Sequence, residues 1–189
     1  MAKKLYIYDS TSSLDVAQAA CRFGASSDIV TLAISSASQL VTEFEKLVQA
    51  GATFDRMLIQ THGNAGMIFF NHVALTADTL LSKFANRGFD ALFPVSTRVY
   101  FDGCTVASGD EGKRFMTVAG GIFLKRSGGE VFAFTSLGTA IPWWVPFIAG
   151  HTVHFNDGFV KIFFSPGGSV FDPPYVEPVW DNRWKGKMQ

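Results

Sequence analysis

The sequence predicts a three-layer α/β/α sandwich on a mainly parallel sheet, with further β-strands toward the C-terminal end. Three observations carry this expectation. Strand-like apolar runs alternate with segments of helical periodicity along most of the chain, the pattern of βαβ units. The runs are almost continuously apolar, as strands covered on both faces are. The 189 residues are 48% apolar and only 17% charged, which suits one domain with a sizeable core and not a disordered chain.

The elements follow in order. "KLYIYD" (4–9) reads as a first strand, closed by Asp9-Ser10-Thr11. Ser12 or Ser13 caps a helix running to about Phe23 and ended by Gly24, with Leu14, Ala17 and Cys21 on its inner face. "DIVTLAIS" (28–35) is a second strand. Leu40, Val41, Phe44, Leu47 and Val48 then form an apolar stripe at helical spacing, closed by Gly51. "RMLIQTH" (56–62) is a third strand, and "MIFFN" with "HVALT" forms a hairpin in which His72 faces solvent. Thr76 caps a helix that turns Leu80, Leu81 and Phe84 inward. "RVYFDGC" (98–104) is a fourth strand leading into a turn. "GDEGKRFMTVAGGIFL" is a helix with Asp110 and Glu111 at its positive end. "GEVFAFTS" (129–136) is a fifth strand, and "HTVHFND" and "FVKIFFSPGGSVF" supply two or three more. Residues 1–172 thus read as the α/β domain, and 173–189 as a Pro- and Trp-containing tail without regular structure.

Composition excludes several functions. Sixteen basic residues balance sixteen acidic ones, so there is no electrostatic footprint for nucleic acid or anionic membrane. The longest apolar stretch contains two prolines and is too short to span a bilayer as a helix. "MAKKLYIYD" is too short and polar for the apolar region of a signal peptide, so the expected location is the cytoplasm, or outside the cell by export without a classical signal. Two cysteines are too few for a disulfide framework or a structural zinc site. The GxxxxGK[ST] and GxGxxG spacings are missing. His151 and His154, three apart, point to opposite faces of a strand, so no metal and no cofactor are expected.

Chemistry concentrates at two strand ends. In a parallel sheet, sites gather beyond the carboxyl ends of the strands. His62 stands there after the third strand and Cys104 after the fourth. Singly, His62 reads as a hydrogen-bonded structural histidine and Cys104 as an inert thiol. Together, on neighbouring strands, they have the parts of a nucleophile and its base. Cys104 also precedes a helix, whose N–H groups favour a thiolate. Gly63, Gly66 and Gly103 leave room for a peptide carbonyl and free N–H groups for an oxyanion.

"LIQTHG", followed some forty residues later by "VYFDGCTVASGDEGKRF", resembles the caspase-like cysteine peptidase superfamily. The bacterial branches are most similar: the CHAT-type domains and the self-cleaving protease domains of large toxins. The resemblance covers about residues 4 to 137 and rests on three features: an apolar strand ending in His-Gly, a next main strand ending in Cys after a small residue, and a Gly109-x-x-Gly112-x-x-Phe115 helix start. It implies a caspase-like fold and a cysteine endopeptidase acting on a peptide or protein substrate through a thioester. His62 would be the general base and acid, and Cys104 the nucleophile. The main-chain N–H groups around Gly63, Gly103 and Cys104 would face the oxyanion. Caspases are cut into two chains, whereas nothing here marks an internal cleavage site.

Several assignments stay open. Asp102 can orient His62, bind a basic P1 residue, or raise the thiol pKa and blunt it. Asp9 and Ser136, at two further strand ends, are places to look for specificity. Trp143 and Trp144, between prolines in "GTAIPWWVPFIAG", fit core packing, a substrate wall or a partner surface. The alternative function is a catalytically silent binding module in an immunity, toxin-associated or scaffolding complex with a protein partner. An esterase-like hydrolase is weaker. "HGNAG" resembles an oxyanion loop, but GxSxG is missing.

Overall fold

A computed structural model describes residues 3–23, 28–140, 152–154, 158–170 and 175–178. The strands are β1 (Lys3–Asp9), β2 (Ile29–Ile34), β3 (Phe54–Gln60), β4 (Gly63–Asn64), β5 (Met67–Phe70), β6 (Val73–Thr76), β7 (Thr97–Asp102), β8 (Gly129–Phe134), β9 (Gly138–Ala140), β10 (Thr152–His154), β11 (Gly158–Phe164) and β12 (Tyr175–Pro178). The helices are α1 (Ser13–Phe23), α2 (Ala37–Gln49), α3 (Ala77–Phe84) and α4 (Gly109–Phe123), with a 3₁₀ turn at Phe89–Leu92.

The central sheet runs β12-β11-β8-β7-β3-β1-β2. β2, β1, β3, β7 and β8 are mutually parallel, and β11 and β12 are antiparallel additions. The fold is therefore a three-layer α/β sandwich on a mainly parallel sheet. Alternation along each strand sorts the two faces. Leu5, Ile7, Met57, Ile59, Val99, Phe101, Val131 and Ala133 face one core with Leu40 and Phe44 of α2, Leu80 and Phe84 of α3, and Phe115, Met116 and Phe123 of α4. Tyr6, Leu58, Tyr100, Phe132 and Phe134 face the other way, with Ala19 of α1 packed among them. The strands read as continuous apolar runs because both faces are covered.

Local signals start the helices. The Ser36 hydroxyl accepts the Gln39 N–H at 3.1 Å, and the Thr76 hydroxyl accepts the Thr79 N–H at 3.3 Å. A Thr76→Ala variant is expected to lose about 1 kcal/mol of stability in urea denaturation, since the cap satisfies an otherwise orphaned donor. Arg114 of α4 grips Asp78 of α3 with two hydrogen bonds, at 2.5 and 3.2 Å, holding that carboxyl below its usual pKa. β5 and β6 meet through Asn71 and His72, both with positive φ (49° and 61°), as a two-residue hairpin turn of the primed type requires. His72 is exposed, but in the turn and not in a strand.

Three expectations need correction. On α1, Leu14 is exposed and Asp15 is buried, so the inner face runs through Asp15 and Ala19 and leaves Leu14 outside. Asp15 and Ala19 are four apart and share a face, which lies about 100° round the helix from Leu14. The side chain of Cys21 lies outside the described residues. On α3, Leu80 and Phe84 are buried, again four apart, and Leu81 turns outward. The tail expected to lack regular structure contributes β12, which pairs with β11 from Lys161↔Tyr175 to Gly158↔Pro178.

Candidate functional site

β3 and β7 are adjacent and parallel, with Ile59 beside Phe101 and Gln60 beside Asp102. His62 and Cys104 each lie two residues beyond this last pair. The amide of Thr61 still donates to the Asp102 carbonyl, at 3.4 Å, so the pairing persists past the last ladder residue. Beyond it both chains turn. His62 leads into the hairpin of β4 and β5, with its carbonyl accepting the Phe69 N–H at 2.9 Å. Cys104 opens the four-residue turn 104–107 that feeds α4.

The two turns touch through glycine. A Cβ on Gly63 would lie 2.9 Å from the Cys104 carbonyl oxygen, 3.1 Å from its nitrogen and 2.6 Å from Val106 Cγ2. A Cβ on Gly103 would lie 3.0 Å from the Thr61 carbonyl oxygen and 3.2 Å from the Gly63 Cα. The chain itself occupies the space that a side chain at either glycine would need. The same holds at Gly66, whose N–H donates to the Val106 carbonyl at 3.0 Å and whose missing side chain makes way for Glu111. These glycines let the histidine and cysteine turns lie main chain against main chain. A Gly63→Ala variant is expected to lose about 1–3 kcal/mol in urea denaturation, because Cys104 main-chain atoms cannot swing aside as a side chain could.

The ladder also decides where the Gly63 amide points. His62 and Phe69 form the hydrogen-bonded pair, so Gly63 and Ile68, the next pair, are the non-bonded one. The Gly63 N–H is thereby left outside the β4–β5 pairing.

The cysteine turn is laced to the chain that leaves β8. Thr105 N–H donates to the Ser136 carbonyl at 2.9 Å, and Ala107 N–H to the Phe134 carbonyl at 2.9 Å. The Ser108 hydroxyl donates to the Thr135 carbonyl at 2.9 Å. At the head of this lacing, Cys104 Sγ accepts the Gly138 N–H at 3.3 Å and donates to the Gly138 carbonyl at 3.5 Å. Cys104 is a free thiol and half-buried, while His62 is exposed.

The other candidates divide. Asp102 is buried, in one register row with Gln60 and Tyr8 on the α1 side of the sheet. The strand ends at Asp102, two residues before Cys104. Asp9 uses both oxygens on the scaffold. Oδ1 accepts the Thr11 N–H and hydroxyl at 2.9 and 2.7 Å, and Oδ2 accepts the Asn71 N–H at 3.0 Å. It pins the β5–β6 turn to the end of β1. Ser136 lies two residues past β8 and holds the cysteine turn through its carbonyl. Trp143, Trp144 and His151 lie outside the described residues, as does the side chain of His154. Among the described residues, no group of three or more His, Cys, Asp or Glu could hold a metal ion, and no helix is long and apolar enough to cross a membrane.

Gly138 and Thr105 were not singled out in the sequence. Gly138 touches Cys104 across 34 positions, and no local pattern encodes that. Thr105 follows Cys104 in a run of small residues that signals a tight turn, but the turn's handedness is not legible in composition. No protein-family model matches the chain, and no curated protein matches it.

Proposed function

We propose that the chain is a cysteine endopeptidase of the caspase-like superfamily, with Cys104 as nucleophile and His62 as general base and acid. The observation that carries this reading is the contact of Gly63 with the main chain of Cys104, which brings the histidine and cysteine turns together at neighbouring strand ends. The imidazole of His62 takes the Cys104 Sγ proton, and the thiolate attacks the scissile carbonyl carbon. The tetrahedral oxyanion is held by the N–H of Gly63, which the hairpin ladder leaves over, and by that of Cys104. The imidazolium returns its proton to the leaving amine, releasing the C-terminal fragment and leaving a thioester on Cys104. Water, deprotonated by His62, then attacks the thioester and frees the N-terminal fragment. Asp102, buried just before the turn, either orients His62 or reads a basic P1 side chain.

The test is incubation with a mixed peptide library, read by mass spectrometry, beside labelling with an electrophilic peptidyl probe. Cleavage and labelling that both need Cys104 support the proposal. Full cleavage by Cys104→Ala, or no labelling of Cys104, overturns it.

One observation favours the alternative, a silent module of the same fold. Both main-chain groups of Gly138 engage Cys104 Sγ, and a peptidase has to release that contact before attack. A parent that cleaves and labels nothing, yet captures a protein partner through Trp143 and Trp144, would select this reading.

A further inference from the structure

Among the described residues, four that are not glycine have positive φ: Asn71, His72, Asn86 and Thr105. The first two form the hairpin turn, and asparagine tolerates the left-handed region through its short polar side chain. Thr105 is different. It is β-branched, it stands at φ 52°, and it immediately follows the proposed nucleophile. A β-branched residue keeps such a conformation only where its surroundings impose it. Here they do. Its N–H donates to the Ser136 carbonyl at 2.9 Å, and its carbonyl accepts the Ser108 N–H at 2.8 Å. Its hydroxyl reaches Asn64 Oδ1 at 3.4 Å, and Asn64 lies two residues beyond His62. Asn64 Oδ1 also accepts the Ala65 N–H at 2.8 Å, which fixes the side chain in place.

We propose that Thr105 is a positioning residue for the Cys104–His62 pair, resting on the peptidase reading for its catalytic consequence. Its strained turn aims Cys104, and its hydroxyl ties the cysteine turn to the histidine turn. Two substitutions remove or retain the two contributions together. Thr105→Gly relieves the backbone and removes the hydroxyl, whereas Thr105→Ser keeps both a Cβ and the hydroxyl.

The experiment measures the rate of Cys104 alkylation by iodoacetamide as a function of pH, in the parent, Thr105→Gly and Thr105→Ser, each with and without His62→Ala. Melting temperature, and kcat and KM on any cleaved peptide, are read alongside. Thr105→Gly is expected to melt at or above the parent temperature, because glycine adopts positive φ without strain. Its kcat is expected to fall about 10- to 100-fold with KM little changed, since misplacement of a catalytic group by about 1 Å costs that order. His62→Ala should shift the alkylation profile in the parent and in Thr105→Ser, but much less in Thr105→Gly. A residue that merely supports the fold would lower the melting temperature and leave the response to His62→Ala intact. A Thr105→Gly variant with the parental profile and the parental response to His62→Ala overturns the proposal. So does a parent whose profile ignores His62→Ala, for then there is no pair to position. If the profiles behave as expected but the parent cleaves no peptide, the peptidase reading fails and the positioning role stands.

Discussion

On the peptidase reading, Cys104→Ala is expected to lose peptide hydrolysis by at least about 10⁴-fold in kcat while folding as the parent does. The size follows from the chemistry. Without sulfur there is no nucleophile and no thioester, and only binding and the oxyanion donors remain to catalyse direct attack by water. The fold should tolerate the change because the cysteine turn is held by main-chain and Ser108 bonds at 105, 107 and 108, none of which uses the thiol. What is lost is the sulfur's own contact with the two main-chain groups of Gly138. His62→Ala should cost a similar factor, and the double variant hardly more, since a nucleophile and its base act as one unit. Multiplicative losses in the double variant would show that His62 and Cys104 act independently, and would sink the dyad.

The layered fold was legible because it depends on period and alternation. The apolar runs at 4–9, 28–35, 56–62 and 98–104 became β1, β2, β3 and β7 within a residue or two at most ends. Their parallel neighbours follow from the helices between them. The errors arose where tertiary packing overrode local pattern. Leu81 and Leu14 are as apolar as the residues that are buried, but the helix phase that fits the sheet excludes them. Asp15 enters the core side of α1 although its type favours solvent. Tyr175–Pro178 joins the sheet although its proline-rich setting argues against a strand, and an outermost position is where proline is tolerated.

The site was half legible for a similar reason. His62 and Cys104 stand out because each reactive side chain comes three positions after the last apolar residue of a strand, Ile59 and Phe101. What holds them together is main chain against main chain: Gly63 on Cys104, Gly66 on Glu111, and the turn 104–108 along 134–138. Main-chain contacts of this kind leave only a glycine or a small residue in the sequence, and such residues have many other uses. Asp9 illustrates the converse. Its position at a strand end marks it as a site residue, yet its two oxygens are spent fastening a neighbouring turn.

Phe123→Ala is expected to destabilise the protein by about 3–5 kcal/mol while leaving the chemistry of the folded fraction intact. Phe123 lies at the end of α4, fully buried, with its ring against those of Phe44, Phe84 and Phe93 at centroid distances of 5.8, 6.2 and 6.0 Å. These three rings come from α2, from α3 and from the segment after the 3₁₀ turn, so one truncation loosens three elements at once. The edge-to-face angles of 68°, 83° and 75° leave no neighbour able to slide flat into the vacated volume, which favours the upper part of that range. Cys104 is far away: α4 rises about 1.5 Å per residue, which puts Phe123 about 21 Å from the helix start that receives the cysteine turn. Urea denaturation should therefore show a large drop in midpoint, whereas kcat and the pH profile of Cys104 alkylation, measured well below that midpoint, should match the parent. A loss of kcat in the folded variant would mean that the aromatic core beneath α4 sets the geometry of the cysteine turn. The main-chain lacing along 134–138 would then be insufficient to hold it.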